Sequence, residues 1–163
     1  MRDLIAGLVA LGLLAAALSL ATTLHVSRRR RQGAHDAERA LGRVIVAEIP
    51  VGDDLTLFSE DDTRFYYGDR PIDKESITAT RVLINGSPIA AIVATRHARE
   101  AERHPTSFED RPEGIARDRW DVAIETTAGT VLVECGAIRE RISQELARAV
   151  FDTVRRDVDR RNG

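Results

Sequence analysis

Histidine and carboxylate side chains come close together in one polar stretch of the chain, where their spacing could hold a metal ion. His97 and Glu100 are three residues apart and would share one face of a helical turn, and His104 follows further along. A protein metal site needs a compact set of three or four ligands, and no second His or Cys cluster completes this one. We therefore predict no metal and no cofactor, and interpret residues 96–118 as a long polar loop with solvated charges.

Other residues that could carry catalysis lack the neighbours that catalysis requires. Cys135 alternates with Val131 and Val133, which indicates a small core residue rather than a nucleophile. The sequence contains no glycine-rich phosphate loop, no nucleophile elbow, no cysteine pair and no His-Glu-x-x-His zinc motif. Acidic residues gathered on turns are typical of solvating charge rather than acid/base pairs: Asp53, Asp54, Glu60, Asp61 and Asp62. We predict that the protein is not an enzyme, with a catalytic role for the loop as the open alternative.

Composition limits the class of protein. The chain has 163 residues, 43% hydrophobic and 31% charged, which is enough apolar surface for one folded domain and excludes a wholly disordered chain. Its 24 Lys and Arg residues nearly balance 26 Asp and Glu residues, giving a net charge of -2. A near-neutral chain lacks the excess of positive charge expected of a dedicated nucleic-acid binder. We predict no nucleic-acid partner.

The amino-terminal segment separates apolar from basic residues. Leu4 to Val26 contains no charged residue, and at about 1.5 Å per residue it would form a helix roughly 34 Å long, enough for a hydrocarbon core of about 30 Å. Arg28, Arg29, Arg30 and Arg31 follow at once. This pattern predicts a transmembrane anchor over residues 1–27 and a basic juxtamembrane segment over 28–43 that contacts the lipid bilayer. By the positive-inside rule, we expect a single-pass protein with its amino terminus outside and its carboxy-terminal domain in the cytoplasm.

Two alternatives use the same segment differently. Ser19 and Ala21 could precede a signal-peptidase site, which would make the protein an exported envelope structural protein. The basic segment could instead serve regulated lipid sensing or nucleic-acid contact. For the whole protein, the alternative function is an anionic-lipid-sensing domain, whose binding would not depend on the four arginines. Cys135 is the single cysteine, so no intramolecular disulfide forms, as expected of a reducing compartment.

After Arg43, short stretches with a period of two predict a soluble α+β domain over residues 44–163. Asn85-Gly86, between two of these stretches, is typical of a tight hairpin turn. We predict seven strands: Val44–Ile49, Leu55–Ser59, Thr63–Tyr67, Ser76–Ile84, Ile89–Thr95, Arg119–Thr126 and one that follows Ala128-Gly129.

The period changes to that of a helix near the carboxyl end. Ile142, Leu146, Val150 and Val154 recur at helical spacing, with charged residues between them. This pattern predicts an amphipathic helix of about 20 residues whose apolar face covers the sheet.

Strands followed by one carboxy-terminal helix, over residues 43–160, resemble the pleckstrin-homology superfold. The features that carry the resemblance are the Asn85-Gly86-Ser87-Pro88 hairpin, the Trp120 strand, the Ala128-Gly129 turn and the helix after Gly136. The resemblance implies a seven-stranded, bent antiparallel PH-like sheet closed by the helix, and a domain that binds phospholipids or peptides. Members that bind lipid place basic residues near the first hairpin, whereas Pro50–Asp54 carries acids here.

A protein partner is the remaining prediction. Phe65, Tyr66 and Tyr67 concentrate aromatic residues, and strand alternation places Tyr66 opposite the other two. This patch, or an exposed strand edge, could dock a partner peptide; core packing of the three rings is the structural alternative. We therefore interpret the protein as an interaction or regulatory module with a partner of unknown identity.

Overall fold

The computed structural model describes residues 2–52, 54–97 and 118–163. The chain divides into two compact units, one up to Leu41 and one over Gly42–Gly163. The first unit is one continuous helix, α1 (Arg2–Ala40).

The predicted transmembrane anchor was wrong. Among the residues that the structure describes, no helix combines the length and the apolar character needed to cross a membrane. α1 joins the apolar run to Arg28–Arg31 and further charged residues in one helix, and the run itself contains polar residues such as Ser19, Thr22 and His25. The single-pass location, with an outside amino terminus and a cytoplasmic domain, is overturned with the anchor.

The second unit begins with a four-stranded antiparallel meander in the order β1-β2-β3-β4. Phe58 of the second strand pairs with Tyr67 of the third, and Phe65 pairs with Ile72 of the fourth, so one face of this sheet collects large apolar side chains. The strands are β1 (Val44–Val51), β2 (Asp54–Glu60), β3 (Arg64–Tyr67) and β4 (Arg70–Asp73).

A second antiparallel sheet of four strands follows, in the order β6-β5-β7-β8. The hairpin prediction is confirmed: Asn85 and Gly86 both have positive φ, 54° and 82°, and Ile84 pairs with Ser87. The strands are β5 (Ile77–Ile84), β6 (Ser87–Val93), β7 (Arg119–Thr126) and β8 (Gly129–Ala137), with 3₁₀ turns at Lys74–Ser76 and Thr95–His97.

The prediction of seven strands in one sheet was therefore wrong, because the described residues form eight strands in two sheets. The additional strand is β4, which reads Arg-Pro-Ile-Asp and buries only Ile72. One buried residue gives no alternation in the sequence, so β4 exists because β3 supplies its hydrogen-bonding partner.

Helix α2 (Arg141–Asn162) buries its apolar face against β1, β5, β7 and β8. Val150 and Val154 are fully buried in a core that both sheets share, together with Phe58, Phe65 and Val133. The helix therefore covers the core, and Asn162 in its last turn reaches Val93 and Thr95 at the end of β6.

Candidate functional site

The three aromatic residues of the predicted docking patch are mostly withdrawn from the surface. Phe65 is fully buried and stacks on Phe58 with ring centroids 5.8 Å apart. Tyr66 lies on the opposite face, as alternation predicts, yet only 8% of it is exposed. Tyr67 is half-buried, and its burial raises the pKa of its hydroxyl. The patch therefore presents little aromatic surface to a partner.

Charged neighbours cover Tyr66. The Arg43 guanidinium lies 3.5 Å from the centroid of the Tyr66 ring, a cation–π contact. The Tyr66 hydroxyl donates a hydrogen bond of 2.8 Å to Asp61 Oδ2. Asp61 Oδ1 also accepts bonds of 2.7 Å from the backbone N–H groups of Thr63 and Arg64.

These bonds give Asp61 a defined role in the β2–β3 turn. Burial acts to raise the pKa of Asp61, but the hydrogen bonds from Tyr66, Thr63 and Arg64 outweigh it and lower the pKa to about 2. The acidic turn that the sequence indicated as solvating charge therefore contains a carboxylate that organises the backbone.

The remaining sequence-predicted residues do not converge on one site. Arg28, Arg29, Arg30 and Arg31 are exposed on α1. Glu100 and His104 of the considered metal site, with most of the predicted 96–118 loop, lie outside the described residues, and no group of three potential ligands occurs within residues 2–52, 54–97 and 118–163.

Cys135 is part of the core. Its side chain is fully buried, and burial, with the nearby Asp121 carboxylate, raises the pKa of the thiol to about 12. A thiol with this pKa stays protonated near neutral pH and is a poor nucleophile.

A buried ionic cluster joins the meander to the end of α2, and we call it the Lys74 cluster. The Lys74 ammonium donates a hydrogen bond of 2.8 Å to Glu60 Oε2 and one of 2.6 Å to the Asp61 carbonyl oxygen. It lies 3.9 Å from Asp157 Oδ1 and 4.5 Å from the centroid of the Phe65 ring. Arg161 completes the cluster by pairing with Asp157 and donating to the Lys74 carbonyl oxygen.

Sequence reasoning missed this cluster, although Lys74 is the single lysine among many arginines. Only 5% of Lys74 and 5% of Asp157 is exposed, which is unusual for charged residues and requires pairing. Each charged member of the Lys74 cluster pairs with an opposite charge, so the cluster fastens the end of α2 to the meander.

Strand β6 shows the opposite pattern. It forms one end of the second sheet, and no strand among the described residues pairs with its outer edge. Every residue of β6 except Ile92 is exposed, and the sequence Ser-Pro-Ile-Ala-Ala-Ile-Val carries no charge. Ile89 and Val93 are 55% and 39% exposed, so this edge offers apolar side chains to solvent.

Hydrogen bonds at the end of β6 identify which backbone groups point outward. The Ala94 N–H donates a hydrogen bond of 2.9 Å to the Thr78 carbonyl oxygen, so the backbone N–H of Ala94 faces β5. Because backbone groups of successive strand residues point to alternate sides, Val93 and Ala91 face the outer edge. Pro88 has no N–H, and the register shifts opposite Val82 and Leu83, so the regular part of this edge is short.

The side chain of Asn162, at the end of α2, already binds this edge. Its Oδ1 accepts a hydrogen bond of 2.9 Å from the Thr95 N–H, and its Nδ2 donates one of 3.4 Å to the Val93 carbonyl oxygen. A carboxamide has the same donor and acceptor as a peptide group, so Asn162 imitates one residue of an added strand. The outer edge therefore has the backbone geometry for strand pairing, and among the described residues the Asn162 side chain occupies its end.

Comparisons with known proteins give no relative from which a site could be transferred: no family model matches the chain, and no curated protein or solved structure is significantly similar.

Proposed function

We propose that this protein is a protein-interaction module that binds an extended segment of a partner along the outer edge of β6. The single observation that supports the proposal is a strand at the end of a sheet that is exposed, apolar and uncharged. Soluble proteins usually protect such edges with charged side chains, because the open N–H and C=O groups recruit other strands. β6 has none of these charges.

The proposed occupant is a short, extended and largely uncharged segment of another protein. Its main chain would pair with the N–H and C=O groups of Ala91 and with Val93, which gives affinity without requiring a particular sequence. Its apolar side chains would contact Ile89 and Val93. A charged segment is disfavoured, because its carboxylate or ammonium groups would lose water at β6 and find no opposite charge there.

The resemblance to the pleckstrin-homology superfold remains a prediction and is part of this proposal. Peptide binding is one of the uses it implies, and the outer edge of β6 is a surface on which this chain could carry it out. The aromatic patch contributes less, because Phe65 and Tyr66 are already covered.

The test is a selection of eight-residue peptides from a random phage-displayed library on the full chain, followed by fluorescence anisotropy with the selected peptide. Ala91→Pro removes an outward N–H that β5 does not use, and we expect it to weaken binding by about tenfold or more. Ala91→Thr keeps that N–H and is the matched control, with affinity within about twofold of wild type.

A second pair of variants covers the case in which Ala91→Pro fails to fold. Ile89→Lys places a charge on the outer edge and should weaken peptide binding as strongly as Ala91→Pro does, whereas Ile89→Thr should weaken it less. Selected peptides that bind Ala91→Pro and Ile89→Lys as tightly as wild type, or a library that yields no binder, would overturn the proposal.

A further inference from the structure

We infer that Asn162 is an intramolecular latch on the outer edge of β6, which a partner strand must displace in order to pair along the full edge. This inference rests on the proposed function, and it adds a means of regulation to that site. The juxtaposition that carries it is the Asn162 carboxamide on the Val93 carbonyl oxygen and the Thr95 N–H.

Asn162 occupies the last carbonyl oxygen of β6 that a partner strand would use, that of Val93, and also the N–H of Thr95 just beyond the strand. Ala91 and Val93 are two residues apart and lie on the same outer edge of β6, so a strand that pairs with Ala91 and continues reaches Val93, where the strand ends before the 3₁₀ turn that begins at Thr95. The Val93 carbonyl oxygen cannot accept a full hydrogen bond from a partner N–H while the Asn162 side chain donates to it from the same side. Binding over the full edge and closure of the latch therefore compete.

The latch can open without unfolding the helix that carries it. The last turn of α2 is fastened by Arg161, which pairs with buried Asp157 and donates to the Lys74 carbonyl oxygen. Asn162 itself is exposed, and its side chain forms hydrogen bonds to Val93 at the end of β6 and to Thr95 just after it. A change of its side-chain rotamer would free the edge while the Lys74 cluster holds the helix in place.

The bond lengths indicate a latch of modest strength. The bond to Thr95 N–H is of ordinary length at 2.9 Å, and the bond to the Val93 oxygen is long at 3.4 Å. Solvent-exposed hydrogen bonds of this kind contribute little net free energy each. Such a contact lowers the affinity of the edge for a weak or short strand but yields to a longer one.

The test selects peptides from the same library in parallel on wild type and on Asn162→Ala. We expect a peptide selected on wild type to bind Asn162→Ala about three- to tenfold more tightly, since the two competing bonds are gone. Asn162→Asp keeps the acceptor for Thr95 but loses the donor to Val93, so its affinity should fall between the two. Gln144→Ala, at an exposed position near the other end of α2, is the matched control and should leave the affinity unchanged.

A spectroscopic readout separates displacement from a merely structural role of Asn162. In wild type, peptide binding should shift the side-chain amide resonances of Asn162 toward solvent-exposed values while the backbone resonances of α2 before Arg161 stay in place. Protection of the Ala91 N–H from hydrogen exchange should appear with the peptide in both proteins.

The outcomes distinguish the latch from the proposed function. Equal peptide affinity for wild type and Asn162→Ala, with Ala91 protected, would overturn the latch and leave the docking edge standing. Absence of any binder to either protein would overturn the docking edge and the latch together. Tighter binding to Asn162→Ala without movement of the Asn162 amide resonances in wild type would also overturn displacement.

Discussion

The Lys74 cluster and the outer edge of β6 lie at opposite extremes of charge and exposure. In the cluster, Lys74 and Asp157 are 5% exposed and every charge has a partner. On the edge, β6 carries no charge, and its backbone has no strand partner on the outer side among the described residues. The charges of the Lys74 cluster therefore fasten one element to another, whereas the proposed binding edge carries no charge.

The largest loss of stability is expected from substitution of Lys74. Lys74→Met removes the cation shared by Glu60 and Asp157, and a buried carboxylate that loses part of its pairing is costly. We expect a loss of about 3 kcal/mol in the free energy of unfolding, measured by urea denaturation. Arg148→Met is the control, because Arg148 is 81% exposed and its pair with Asp152 should change stability by less than about 0.5 kcal/mol. Equal effects of the two substitutions would contradict the assignment of the cluster as a structural fastener.

Substitution of Asp61 should cause a smaller loss of stability, and one that depends on pH. Because the pKa of Asp61 is lowered to about 2 in the fold, its contribution is present above the unfolded pKa of about 4 and is lost as the pH falls toward 2. Asp61→Ala should therefore destabilise the domain by about 1 to 2 kcal/mol at pH 7 and by less near pH 2.

Urea denaturation at both pH values checks this expectation. Asp61→Asn keeps an oxygen that can accept from the Thr63 and Arg64 N–H groups, so it should lose less stability than Asp61→Ala at pH 7. A difference between wild type and Asp61→Ala that does not change with pH would show that the carboxylate does not organise the turn.

The contact of Arg43 with Tyr66 should contribute less again. Arg43→Gln removes the cation from the face of the ring while keeping much of the side-chain length, and we expect a loss of about 0.5 to 1 kcal/mol. The same substitution in a Tyr66→Leu background should cost less, since the cation–π part of the loss is gone. An unchanged cost in that double-mutant cycle would assign the effect of Arg43 to something other than the ring.

The smallest effect on stability is expected from a substitution on β6. Ile89→Thr exchanges an exposed branched apolar side chain for a polar one of similar strand preference, so the free energy of unfolding should change by less than about 0.5 kcal/mol. Thermal unfolding measures it. A large loss of stability would show that Ile89 packs against the rest of the domain, and Ile89 would then not be part of the docking edge.

Strands with alternating buried residues could be placed from the sequence because alternation is a local property. Val122 and Ile124 of β7, or Val131 and Val133 of β8, have apolar residues two apart, and the Asn85-Gly86 turn supplies the positive φ that its hairpin needs. β4 has no such pattern, and its pairing with β3 decides that it is a strand. The division into two sheets, like the absence of a membrane-spanning helix among the described residues, was likewise not predicted.

The same distinction between local sequence pattern and long-range packing applies to the candidate site. The sequence alone determined that β6 would be apolar and uncharged and that α2 would have one buried face, since composition and period carry that information. Only the tertiary structure decided that β6 stands at the end of its sheet, that Lys74 meets Asp157, and that Asn162 reaches Val93. Asn162 and Val93 are 69 positions apart in the chain, and no local pattern encodes such a pairing because the packing of α2 on the sheet creates it.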